Sequence, residues 1–272
     1  MLKLSCFSDE IAPSAADQIR VIRSLGMRYL EIRTVDDTGV MDMSEEMLRR
    51  IRSLCDMNGL TVTCVSSPIG KDRADIPTEK AVSDTVHACE IADIFSCRYI
   101  RIFSFFRREL SEDEAFRLSL EKLTAMADAA RARGKVLVME SGKDTVGARS
   151  RDALRLLEQV NSPALRCAFD MAAFCAAGDE PYEESLPALL PYIEYVHIKD
   201  MKRGAAERVP AGEGDARVED IVRALRDRPL VLSLEPHLAY AGDRRGFSGE
   251  ENFLRAHEAF TAILQRSEIA YE

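Results

Sequence analysis

Eight short apolar runs alternate with eight helix-like stretches along the 272 residues, about one pair every 34 residues. A strand that returns through a helix to its neighbour pairs parallel to it, so strict alternation predicts a parallel sheet. Eight units, with no Gly-x-Gly-x-x-Gly turn after the first run, favour a closed (β/α)8 TIM barrel over an open doubly wound sheet. No linker, low-complexity tract or charged tail divides the chain, so a single α/β domain over residues 1–272 is expected. The strand-like runs are 2–8, 29–33, 61–67, 99–104, 136–140, 165–170, 195–200 and 230–235. Helix signals fall between them. Ser44-Glu45-Glu46 opens and Asn58-Gly59 closes a stretch whose Met47, Leu48, Ile51, Leu54 and Cys55 repeat at helical spacing, and Ser111 with Glu114 makes a capping box. A helix is also expected over 182–190, although Pro187 lies inside it.

Function in such a barrel collects at the C-terminal ends of the strands. In Tyr195-Val196-His197-Ile198-Lys199-Asp200, side chains alternate, so His197 and Lys199 share a face. A parallel barrel strand is ordinarily apolar on both faces, and for one strand alone a core His with a rim Lys would suffice. The neighbouring strands change that weighting. The fifth ends in Glu140, the sixth in Asp170 and the eighth in Glu235, each directly after an apolar run.

Four consecutive strands therefore aim three carboxylates and one imidazole at half of the mouth. Clustered carboxylates in a half-buried site need positive charge to offset their repulsion. Any one acid would be unremarkable as a helix cap or an arginine partner. Four ligand types at one relative position favour a divalent metal held by Glu140, Asp170, His197 and Glu235. Three oxygen donors and one nitrogen donor suit Mn, Mg, Co or Zn.

The balance of 37 basic against 46 acidic residues, net −9, argues against nucleic acid or an anionic membrane as partner. It leaves room for a small anionic substrate in a local basic pocket. Seven cysteines, an odd number without a Cys-x-x-Cys pair, point to a reducing, cytoplasmic setting and to no structural zinc knuckle. The first residues lack the features of a signal peptide, and no run approaches the roughly 18 apolar residues of a membrane span.

The order Glu140…Asp170…His197…Glu235 resembles the xylose isomerase-like barrel superfamily of sugar and sugar phosphate isomerases and epimerases, with ketose 3-epimerases and inosose dehydratases among its members. The resemblance spans the chain, from Ser8-Asp9-Glu10 through Glu31-Ile32-Arg33 and Ser67-Pro68-Ile69-Gly70-Lys71 to Glu235-Pro236-His237. His-x-Lys-Asp at 197–200 and Gly-Glu-Gly-Asp at 212–215 belong to it as well. It implies that Glu140 and Glu235 bind the metal and also act as the acid/base pair, taking and returning a proton next to a carbonyl through an enediolate. It also makes Arg203, six residues after the metal His, a substrate contact. Two positions depart from the epimerase pattern: Ala173 stands where a substrate-touching His is carried, and Val146 where the residue is often acidic. His237 is a candidate for the missing imidazole; a rim His without a role is the other reading.

Lys71, Arg73, Arg107, Arg108, Lys143, Lys199, Lys202, Arg203, Arg244 and Arg245 lie on the expected C-terminal loops, and Arg33 and Arg101 within strands. Most loop charges of this kind are simply solvated. Lys199 is the best substrate contact among them, and the loop 241–246 stands where barrels often grip phosphate. Phe105-Phe106-Arg107-Arg108 reads as a lid, or else as a subunit contact in a homo-oligomer. His87 and His257 fall in helices, far from any strand end.

The expected activity is that of a carbohydrate isomerase or epimerase acting on a small polar sugar or hydroxy-keto acid. The alternatives are a metal-dependent dehydratase of the inosose or keto-acid type and a barrel that binds metal or ligand without catalysis. A DNA-repair endonuclease of the same superfamily would need a His-rich metal cluster, and the chain has four His.

Overall fold

The computed structural model describes residues 1–205, 207–241 and 244–272, apart from the side chains of residues 240, 241 and 244–246. The eight expected runs form β1 (Lys3–Cys6), β2 (Tyr29–Ile32), β3 (Thr61–Ser66), β4 (Tyr99–Ile102), β5 (Val136–Glu140), β6 (Leu165–Asp170), β7 (Ile193–Ile198) and β8 (Val231–Leu234). They pair in parallel in the order β1-β8-β7-β6-β5-β4-β3-β2. A parallel bridge from Phe7 to Glu31 joins the two outer strands, so the sheet curls into a nearly closed barrel.

The crossover helices are α1 (Ala15–Ser24), α2 (Glu45–Met57), α3 (Thr78–Ile94), α4 (Glu112–Ala132), α5 (Ser150–Val160), α6 (Met171–Ala176), α7 (Leu186–Leu189) and α8 (Val218–Leu225), with α9 (Glu250–Arg266) after β8. Caps follow the sequence signals: Ser44 accepts from the Met47 amide and Ser111 from the Glu114 amide. The helix expected over 182–190 is instead a wide turn, Pro181–Ser185, followed by the four-residue α7. Pro187 sits in the first turn of α7, where its missing N–H leaves no bond unmade. No helix among the described residues is long and apolar enough to cross a membrane. All seven cysteines are buried and unpaired.

The period of two along each strand places the site. Inside the barrel, Cys64, Val136, Val138, Ala168, Tyr195 and Val231 form an apolar floor. Continuing the alternation from Val136 and Val138 reaches Glu140; from Ala168, Asp170; from Tyr195, His197 and Lys199; from Val231 and Ser233, Glu235. Every polar member of that upper layer is buried, from 0% exposure at His197 to 6% at Glu140 and Lys199.

Two loops have glycines that the packing demands. The turn after β3 runs so close to the end of β4 that a Cβ on Gly70 would lie 2.1 Å from the Phe103 carbonyl oxygen, with φ at +84°. Phe105 donates its amide to the Gly70 carbonyl at 2.9 Å, and Phe106 to Asp72 at 2.8 Å. Phe105 is thereby a fully buried core residue and neither lid nor subunit contact. Gly70→Ala is expected to cost about 2–5 kcal/mol, combining left-handed strain with overpacking, and to lower the melting temperature accordingly. An unchanged melting temperature would show that the two loops separate freely. Beyond β7, the loop 212–216 wraps the Asp200 carboxylate, which accepts from the amides of Met201, Gly212, Gly214 and Ala216 at 2.8–3.1 Å. A Cβ on Gly214 would meet Asp200 Oδ1 at 2.2 Å. The Gly-Glu-Gly-Asp motif is accordingly a cage around Asp200.

Candidate functional site

Cross-strand register sets the four expected metal ligands side by side. Asp170 and His197 are direct partners across β6 and β7, and Glu140 pairs with Ala168, one inward step below Asp170. Glu235, just past β8, donates its amide to the Ile198 carbonyl at 3.1 Å and so sits beside the end of β7. One ligand atom from each of Glu140, Asp170, His197 and Glu235 falls within 4.8 Å of the others.

His197 stands on a rigid aromatic base, with Phe7 edge-on at 5.1 Å and Tyr195 at 5.7 Å between ring centroids. Its Nδ1 lies 3.5 Å from Glu140 Oε2 and 3.5 Å from Glu235 Oε2, and its Nε2 3.7 Å from Glu31 Oε1. Burial alone would push the imidazole pKa down. The carboxylates of Glu140, Glu31 and Glu235 outweigh it and raise it to about 9.

Lys199 reaches into the same cluster. Its Nζ is 2.8 Å from Asp170 Oδ2, 2.6 Å from Glu235 Oε2 and 3.6 Å from Glu140 Oε1. These contacts overcome the burial penalty and hold the ammonium charged. Against the same penalty, His197, Lys199 and Arg101 keep the Glu140 carboxyl well below the usual range, while Lys199, His237 and His197 do so for Glu235. Both glutamates are therefore ionised at neutral pH.

Further residues brace Glu235. Arg33 Nη1 donates to its Oε1 at 2.8 Å, and Arg33 Nε to Asp9 Oδ2 at 2.8 Å. His237, at φ +52°, places Nε2 3.1 Å from the same Oε1 and 3.0 Å from Glu10 Oε1. Glu10, Glu235 and His237 thus make a second group with metal-ligand spacing. Asp9, Glu10 and Glu31 were visible in the sequence only as part of the resemblance. Their signal was acid residues at the ends of apolar runs, a pattern too common to single them out.

The donor set fits a divalent cation on a direct observation. His197 Nδ1, Glu140 Oε2 and Glu235 Oε2 face one another, are buried, and have no hydrogen-bond partner. Unmet buried polar atoms cost about 1–3 kcal/mol each, and one cation would satisfy all three. A +2 ion together with Lys199 also balances the three carboxylates.

The expected substrate contacts divide. Lys199 and His237 lie against the cluster, whereas Arg203 Nη2 donates to the Asp179 carbonyl at 2.9 Å and to Glu180 Oε2 at 2.8 Å, out on the turn before α7. Ala173 donates its amide to Asp170 Oδ1 at 2.9 Å, so Asp170 also caps α6. In the loop 241–246, residues 242 and 243 and the side chains of Arg244 and Arg245 lie outside the described residues.

Solved structures of similar fold include a D-tagatose 3-epimerase-like protein, at TM-score 0.79 and 16% identity, covering 98% of both chains. The probable 3-DHS dehydratase AsbF of Bacillus anthracis, involved in petrobactin synthesis, aligns at TM-score 0.76 and 18% identity over 95% of this chain and 98% of its own. The IOLI protein, solved with a zinc atom, aligns at TM-score 0.75 and 15% identity over 97% and 99%. No curated protein matches the sequence. The family model for the xylose isomerase-like TIM barrel matches residues 19–258, and the chain belongs to that family.

Proposed function

We propose that the chain is a divalent-metal-dependent isomerase or epimerase of a small sugar, sugar phosphate or hydroxy-keto compound, working by proton transfer through an enediolate. The observation that carries this reading is the trio of buried atoms without a hydrogen-bond partner on Glu140, His197 and Glu235 within a four-residue ligand cluster. Glu140, Asp170, His197 and Glu235 would hold the ion. A bound divalent ion polarises a substrate carbonyl and offsets the charge that builds when the adjacent carbon loses its proton.

The chain supplies the rest. Glu140 and Glu235 project from β5 and from the end of β8, and each is ionised, so each carboxylate can accept a proton and return it. Arg33 donates to Glu235 Oε1 and thereby holds the carboxylate in one orientation. Lys199 screens the carboxylates from one another, and the edges of Phe7 and Tyr195 close the floor beneath His197.

Purified protein supplemented in turn with Mn, Mg, Co or Zn and screened in D₂O against ketoses, hydroxy-keto acids and inososes tests this reading. Deuterium is expected at the carbon next to the carbonyl, and chelation is expected to abolish its entry. No divalent-metal binding by calorimetry and no exchange on any candidate would leave only a non-catalytic barrel. A second reading, loss of a β-hydroxyl as water, is supported by Ala173, which offers a backbone amide to Asp170 and no imidazole to hold a ketose hydroxyl. Both outcomes start with the same proton abstraction, and an ultraviolet-absorbing enone product separates them.

A further inference from the structure

A cavity of about 150 Å³ opens among Arg33, Ser66, Pro68, Lys71 and Arg101, with Asp42 exposed on its lining. Three cations are drawn together here by two shared aromatic rings. Phe103 has Lys71 Nζ at 4.4 Å and Arg101 Cζ at 4.6 Å from its centroid. Phe7 has Arg33 Cζ at 4.7 Å and Arg101 Cζ at 5.8 Å. Like charges held this close repel, and poor solvation makes the repulsion more costly.

The three differ in how far acids offset them. Arg33 pairs with Asp9, Glu10 and Glu235. Arg101, 3% exposed, has one carboxylate near it, Glu140 Oε2 at 3.4 Å, and its buried Nε has no hydrogen-bond partner. Lys71 makes no ion pair among the described residues; the residue as a whole is exposed, but crowding of its ammonium by protein atoms and then Arg101 bring it down to about 8. An arginine offset by a single carboxylate and an unpaired ammonium line one small cavity and leave a place for an anion.

We infer that this cavity receives a carboxylate carried by the substrate, so that the site acts on a hydroxy-keto acid in preference to a neutral ketose. The inference rests on the function proposed above. Carboxylates and phosphates share the required chemistry, and position separates them. Arg101 touches Glu140 and Arg33 touches Glu235, the two groups assigned to proton transfer. An anion held between them sits beside those two groups, which suits a carboxylate attached directly to the reacting carbons. The terminal phosphate of a sugar would sit farther along the carbon chain.

Calorimetry on the Mn²⁺-loaded full chain tests this with three ligands of one skeleton: hydroxypyruvate, dihydroxyacetone and dihydroxyacetone phosphate. Hydroxypyruvate is expected to bind at least tenfold more tightly than either of the others. Lys71→Met and Arg101→Gln are each expected to shrink that ratio to threefold or less, and Lys71→Arg to preserve it. Lys71 is on an exposed loop, so its variants carry the test should Arg101→Gln fail to fold. Equal binding of the acid and the neutral ketone, tighter binding of the phosphate ester, or a preference that survives Lys71→Met would each overturn the inference. Metal-dependent exchange on neutral ketoses without any preference for acids would sink it and leave the proposed function standing. A preference for acids without metal-dependent exchange would do the reverse.

Discussion

Glu235→Gln is expected to lower interconversion of the substrate's two forms by about 10²–10⁴-fold, the usual contribution of a positioned acid or base. The substitution keeps the shape of the side chain, and the amide oxygen can still accept from Arg33, so the brace on Oε1 survives. What it removes is the carboxylate's basicity and the charge facing Lys199 and His197. Glu140→Gln should give a loss of the same order. The pair also predicts an asymmetry. If the two carboxylates serve opposite faces of the substrate, each single variant loses interconversion yet still exchanges deuterium into the one epimer whose proton faces the remaining glutamate. The measurement is deuterium entry into each epimer separately, with Mn²⁺ affinity by calorimetry and circular dichroism to establish folding. Full interconversion in either variant would remove that glutamate from the chemistry.

Lys199→Met is expected to weaken the metal-free protein by about 3–5 kcal/mol, the usual cost of stripping one partner from a buried ionic cluster. Its ammonium lies within 4 Å of three buried carboxylates and stays charged because of them. Without it, Asp170, Glu140 and Glu235 repel one another across a site with little solvent. For a barrel of this size the loss corresponds to a melting temperature lower by roughly 6–20 °C. Saturating Mn²⁺ should then raise the melting temperature further in the variant than in the parent protein, because the ion takes over the role of counter-charge. Equal metal-induced shifts in the two proteins would mean that Lys199 and the ion do not share a site.

Much of this was legible in the sequence because a parallel barrel writes its plan in a short code. Apolar runs at regular intervals marked the eight strands, and the residue that broke each run, Glu140, Asp170 or Glu235, marked its C-terminal end. The alternation of side chains then put His197 and Lys199 on the inner face, where both are buried. What stayed hidden depended on contacts between distant segments. Nothing local to Arg101 announces that Phe7 and Phe103 flank it, or that its Nε goes unmet. Arg203 was a case of another kind: the resemblance implied a substrate contact, and no local signal announced that its guanidinium bonds to Asp179 and Glu180. The stretch 182–190 misled because Pro187 reads the same at a helix start as at a helix break until the preceding turn is known. Phe105 looked like a mobile aromatic because nothing nearby in the chain says that the Gly70 turn lies directly against it.

The cage around Asp200 changes what a motif of that kind can tell a reader of other chains. Four amides grip one carboxylate, and Gly214 is small because there is no room for anything else. The residue immediately upstream is the lysine that enters the carboxylate cluster, so the knot fixes how far that lysine can retreat. A chain bearing the same glycines with other residues at the mouth would keep this clasp and lose the chemistry. The signature is a mark of how the scaffold is tied, and says little about which molecules it turns over.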